Sequence, residues 1–276
     1  MTNLSHGMTQ TRKIDMKKKL TIIFLIVCII CFCVSVGILI DYFHSINSSE
    51  KTVDKLKDKM ESTVPLATDL TGNLIIPSDD VTEPTETVSS YEFYQKLLDE
   101  NPDFVGWISI PGTNIDYPVV QTPDDEQFYL RKDFYKDSSR AGTIFCSADS
   151  DLKTPSMNII IYGHHMKAGT MFAKLDGYRE EDFYKEHKYI IFNTLYQYGT
   201  YEVVAAFETD LHSDTYPYYK FINGTEEEYE EFIANIKAET PYETCETQYG
   251  DQFITLSTCS YHTSNARYVV VAKKIS

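Results

Sequence analysis

Eight short runs of β-branched and aromatic residues dominate the C-terminal two-thirds of this 276-residue chain. They are FVGWISI (104–110), NIDYPVVQ (114–121), GTIFC (142–146), MNIIIYG (157–163), KYIIFNT (188–194), TYEVVAAFE (200–208), QFITLSTC (252–259) and RYVVVAKK (267–274). Most are bounded by Gly, Pro, Asn or Asp, the residues that end strands and start turns. So many short strands within one domain leave unpaired edges unless the sheet closes on itself. The expected fold is therefore mainly β, closed or nearly closed.

Helical patterns are few. Ser89 followed three residues later by Glu92 has the form of a capping box, and Tyr94, Leu97 and Leu98 share a face before Asn101-Pro102. A second helix is expected near Gly169–His187, where Met171, Phe172 and Leu175 group together. The third is the clearest: Thr225 and Glu228 form a capping box, and Tyr229, Phe232, Ile233 and Ile236 recur at i, i+3, i+4 and i+7. It lies in a long insertion, 209–251, just before the run that ends in Cys259. Insertions of that length commonly wall a site.

Ahead of the β-rich part, LTIIFLIVCIICFCVSVGILI (20–40) carries no charge over 21 residues. About 20 apolar helical residues cross a bilayer. Arg12, Lys13, Lys17, Lys18 and Lys19 precede the run; Asp41 and His44 follow it. Basic residues favour the cytoplasmic side. The expected order is a cytoplasmic tail (1–19), a single-pass signal anchor (20–40), an extracellular stalk and linker (41–88) and a catalytic domain outside the cell membrane (89–276). A cleaved signal peptide would have a shorter apolar core and a small-residue cleavage site.

The net charge is −16, and because residues 1–19 carry five cations and one anion, the residues beyond the apolar run carry −20 between them. That excludes nucleic acid as an expected partner. Of six cysteines, Cys28, Cys31 and Cys33 lie in the apolar run, leaving Cys146, Cys245 and Cys259 outside it. An odd number leaves at least one thiol without an intrachain disulfide, and no C-x-x-C spacing suggests zinc.

Cys259 ends a strand beside a polar loop, flanked by Ser257, Thr258 and Ser260. Arg267 opens the next strand. In an antiparallel hairpin the two residues face one another across the loop mouth. A guanidinium there suits a developing oxyanion. A thiol nucleophile also needs a proton acceptor. His164 and His165 follow the strand MNIIIYG, and His262 lies three residues after the thiol. The residues alone leave three readings open: an acyl-transferring thiol enzyme, a cysteine hydrolase using water, and a tethered binding module in which Cys259 is inert.

Thr255-Leu256-Ser257-Thr258-Cys259, with Arg267 eight residues on and Gly163-His164 upstream, resembles the signature of the sortases of Gram-positive bacteria. FVGWISIPGTNIDYPVVQ, YGHHMKAGTMFAKL and the helix-bearing insertion before TLSTC are similar to class B of that family. The resemblance covers about residues 89–276. It implies an eight-stranded closed β-barrel with peripheral helices, one of them in the insertion before the catalytic strand. The implied activity is a cysteine transpeptidase. Cys259 would attack the threonine carbonyl of a C-terminal sorting motif; class B sortases favour motifs of the N-P-x-T-x kind, and some relatives accept others. His164 would be the acid/base and Arg267 the oxyanion and backbone holder. Tyr162, Ser257, Thr258 and Tyr218 would contact substrate. The implied partners are surface proteins bearing the motif and a cell-wall peptide amine. No cofactor and no metal are implied.

Overall fold

The computed structural model describes residues 4–63, 86–210, 215–259 and 266–276. The chain divides into two compact units, Met1–Asn47 and Ser48–Ser276. A single helix, α1, runs Leu4–Thr63. Within the first unit its Leu20–Ile40 stretch is long and apolar enough to cross a membrane, and none of it is buried.

In the second unit, residues from the end of α1 contribute to a core. Leu56 is fully buried in a cluster with Phe93, Leu97, Phe104, Trp107 and Phe145. Ser49 Oγ lies 2.6 Å from Ser139 Oγ, and Lys57 pairs with Asp116 at 3.0 Å. Of the stalk and linker expected over 41–88, residues 64–85 lie outside the described residues. Helix α2 covers Glu86–Glu100, so it begins one turn ahead of Ser89, which is internal to the helix and not its cap.

The strands follow as β1 (Phe104–Ser109), β2 (Asp116–Val120), β3 (Ile144–Cys146) and β4 (Asn158–Gly163). Next come a 3-10 helix (Phe172–Arg179), a short helix α3 (Glu181–Glu186), β5 (Tyr189–Thr194) and β6 (Thr200–Asp210). A 3-10 turn (Tyr218–Lys220), α4 (Glu226–Ala238), β7 (Phe253–Cys259) and β8 (Ala266–Lys274) complete the chain. The single helix expected near Gly169–His187 is thus two pieces. The break falls at Glu180, which is extended, with φ −104° and ψ 128°.

All eight strands close into one barrel in the order β1-β2-β3-β4-β7-β8-β6-β5, with β5 returning to β1. Pairs β2/β3 and β4/β7 are parallel; the others are antiparallel. This is the mainly β closed barrel that the run of short strands predicts. Strand β4 reads as continuous isoleucine because Ile159, Ile160 and Ile161 are all buried, as for a strand covered on both faces. Helix α4 covers part of the barrel wall. Phe232 and Ile236 pack with Phe253, Val269 and Val271, and Phe232 stacks on Phe221 with centroids 4.4 Å apart. Its capping box at Thr225 and Glu228 is formed in both directions.

The parallel pairing of β4 with β7 sets the site, so its register matters most. Two fully buried polar side chains lock it. Thr255 Oγ1 donates to Asn158 Oδ1 at 2.8 Å, and Asn158 Nδ2 donates to the Phe221 carbonyl at 2.8 Å. Slipping the register by one residue would orphan these groups, at about 1–3 kcal/mol each, and turn every side chain of β7 to the other face.

Candidate active site

The last paired residues of β4 and β7 are Gly163 and Thr258. The chain then continues to His164 on one strand and Cys259 on the other, which places these two residues level on neighbouring strands. Strand β8 lies on the far side of β7, and Arg267 is the Cα partner of Cys259. Adjacent strands are about 4.8 Å apart. Three residues separated by up to 103 positions in sequence therefore occupy one end of three adjacent strands.

Gly163 has a packing reason. A Cβ there would lie 2.5 Å from Ile144 Cδ1 and 2.7 Å from Phe172 Cδ2. Both of those residues are fully buried. The glycine lets the 3-10 helix close against the strand end just before His164.

At this end a cleft of about 460 Å³ is lined by Tyr162, His164, Ser257, Thr258, Tyr218 and Arg267, together with Glu126, Leu130, Arg131 and Phe145. His164 is half-buried, and its Nε2 lies 2.8 Å from the Leu130 carbonyl oxygen. A carbonyl only accepts, so Nε2 carries the proton and Nδ1 is the basic nitrogen of the neutral ring. Burial holds the imidazole below its ordinary value. The Leu130 carbonyl opposes that shift and the Arg131 charge adds to it. Arg267 Nη1 donates to the Ala266 carbonyl at 3.0 Å.

The four expected substrate contacts all line the cleft, but they differ in how committed they are. Tyr218 is buried, and its hydroxyl lies 2.6 Å from Ser257 Oγ. That pair forms a satisfied floor. Thr258 Oγ1 is buried without a hydrogen-bond partner among the described residues. Tyr162 packs its ring on Phe145, centroids 5.4 Å apart, and burial pushes its phenol well up, so it stays neutral. Among the described residues no cluster of three His, Cys, Asp or Glu side chains is placed to hold a metal ion.

The other histidines separate. His165 pairs with Asp176 at 2.7 Å. His187 packs at a tilt against Phe183, and its Nδ1 lies 2.9 Å from the Pro111 carbonyl oxygen. His262 lies outside the described residues. Sequence reasoning did not find the 3-10 turn Phe128–Arg131 that supplies the His164 partner. The segment between β2 and β3 has no periodicity to announce it, and its contribution at Leu130 is a backbone oxygen.

The depressed His164 value has a consequence for stability. The unfolded imidazole titrates near pH 6.5, and the folded one takes its proton at lower pH. Between those values the unfolded chain binds more protons, so stability falls as pH drops below about 6.5. Urea unfolding between pH 7.5 and 5 should show wild type losing more stability than His164→Gln. Equal losses would refute the burial account.

A sortase-domain family model matches residues 108–275. Sortase B of Staphylococcus aureus is 35% identical over 185 residues, covering 66% of this chain and 74% of that protein. The chain belongs to the class B sortases. It is a cysteine transpeptidase by that membership. Sortase B of Listeria monocytogenes is also 35% identical, over 60% of this chain and 65% of that protein. Among solved structures, a Staphylococcus aureus sortase B–substrate complex aligns with TM-score 0.69 and 27% identity, covering 84% of this sortase and 99% of that chain.

Proposed function

We propose that this sortase cleaves a C-terminal sorting motif after its threonine and transfers the new carboxyl end to a cell-wall peptide amine. In this reading neutral His164 takes the thiol proton as Cys259 attacks the threonine carbonyl. The carbonyl oxygen becomes an oxyanion beside Arg267. The imidazolium then protonates the departing amine, the C–N bond breaks and a thioester remains. The incoming amine gives its proton to the same imidazole, attacks the thioester and releases the thiol. One histidine serves both halves because the second reverses the first. The observation that carries the reading is the common level of His164, just past the end of β4, Cys259 on β7 and Arg267 on β8, beside a cleft lined by His164, Thr258 and Arg267.

We further infer that Leu20–Ile40 spans the cell membrane, with the basic residues before it in the cytoplasm and the barrel outside. Its 21 unburied, uncharged and mostly apolar residues support this, since that length of helix extends about 30 Å.

The test is to mix the enzyme, an N-P-x-T-x-type peptide and a cell-wall peptide amine, and to read products by mass spectrometry. An amide-linked product is expected. Only the cleaved acid, in the presence of excess amine, would replace transpeptidation with hydrolysis.

A further inference from the structure

A second line of polar contacts runs beside the cleft, and acyl transfer makes no direct use of it. His165 directly follows His164, and its Nε2 lies 2.7 Å from Asp176 Oδ2. Asp176 and Arg179 share the 3-10 helix, and Arg179 Nη2 lies 3.6 Å from Asp176 Oδ1. Arg179 Nη1 donates to Glu208 Oε2 at 2.8 Å. The guanidinium centre also lies 4.5 Å from the centroid of the Tyr268 ring. Glu208 and Tyr268 are partners across β6 and β8, and the adjacent rung pairs Thr209 with Arg267. The line therefore starts one residue beyond His164 and ends one residue from Arg267.

We propose that Arg179 is a positioning residue for acyl transfer, tying the loop that follows His164 to the strand that carries Arg267. The inference rests on the proposed roles of His164 and Arg267. The loop needs support from outside itself. It leaves the barrel after Gly163 and reverses through Gly169 (φ 82°) and Met171 (φ 57°). The Phe172 N–H donates to the His164 carbonyl at 2.9 Å, and a single bridge joins His165 to Met171. One guanidinium hydrogen-bonds Glu208, lies over the Tyr268 ring and sits within ion-pair range of Asp176, at 3.6 Å and without a hydrogen bond, a combination that a lysine ammonium does not reproduce.

Stability alone is a poor reason for such a network. Partly exposed ion pairs contribute about 0–1 kcal/mol, whereas a 1 Å displacement of a catalytic group costs on the order of 100-fold in rate. The larger effect is on geometry.

The test compares wild type with Arg179→Met, Arg179→Lys and Asp176→Asn in the transpeptidation assay, with kcat expressed per titrated active thiol. Arg179→Met is expected to lower kcat on the order of 10- to 100-fold with KM little changed. Arg179→Lys should recover only part, and Asp176→Asn should fall in the same direction. A merely structural role reduces the number of active thiols and leaves kcat per thiol unchanged; that result overturns the proposal. If Arg179→Met does not fold, the lysine and Asp176 variants decide by the same criterion. His164→Ala in the same assay separates the two levels. Wild-type turnover there removes the underlying reading, whereas a dead His164→Ala beside unaffected Arg179 variants removes only this inference.

Discussion

Cys259→Ala is expected to abolish both the acyl-enzyme and the amide product, lowering turnover on the order of 10⁴-fold or more. Alanine cannot form a thioester, and neither of the two other thiols of the catalytic unit is suited to replace it. Cys146 is buried, and burial pushes its thiol up to about 12. Cys245 is partly buried, and its thiol is also raised by burial. The thiolate is the reactive form, so both are poor nucleophiles at neutral pH. The substitution should leave the barrel intact, because the pairing of residue 259 with Arg267 uses backbone groups. Intact mass of the enzyme after mixing with motif peptide is the direct measurement: an acyl adduct on wild type, none on the variant. Amide product formed by Cys259→Ala at the wild-type rate would place the nucleophile elsewhere.

Arg267→Met should be the next most damaging change, with kcat lower by about 100- to 1000-fold. Arg267 is the strand partner of Cys259 and lines the cleft. A cation there gains most from a carbonyl oxygen when that oxygen becomes negative, so its loss falls on kcat more than on KM. Arg267→Lys keeps the charge but not the fork, and should recover only part of the rate. Steady-state kinetics of the three proteins measure this. An unchanged kcat in Arg267→Met would assign the oxyanion contact to another donor.

The strands were legible because each is a compact run of β-branched and aromatic residues closed by turn residues. MNIIIYG and RYVVVAKK were expected at 157–163 and 267–274 and form at Asn158–Gly163 and Ala266–Lys274. Helices were legible where a cap and a full apolar stripe agree. Thr225–Glu228 precedes four stripe residues and caps α4. Ser89–Glu92 has the same pattern but lies inside a helix that starts at Glu86. Of the apolar group Met171, Phe172 and Leu175, the last two belong to a 3-10 helix and Met171 stands just before it: Phe172 and Leu175 are three apart, and both reach the core from a tight helix as well as from an α-helix.

The candidate site divides in the same way. A seven-residue loop between two strand-like runs already implies a hairpin, so the facing of Cys259 and Arg267 follows from local sequence. The placement of His164 does not. Local spacing favours His262, three residues from the thiol. Only the resemblance to sortases pointed to His164, 95 residues upstream. The parallel pairing of β4 with β7 brings it level with Cys259, and no pattern within either strand encodes which strand will be its neighbour.

The amino-acid sequence by itself determined a β-rich domain behind an apolar N-terminal run, a strand-end thiol and an arginine across a hairpin mouth. Those features depend on interactions within about ten residues. The tertiary structure decided the closure order, the partner of the thiol strand, the carbonyl that orients His164 and the line of contacts through Arg179. Each depends on which distant segments share a buried surface, and in the pairing of β4 with β7 two buried polar residues, Asn158 and Thr255, hold that choice in register.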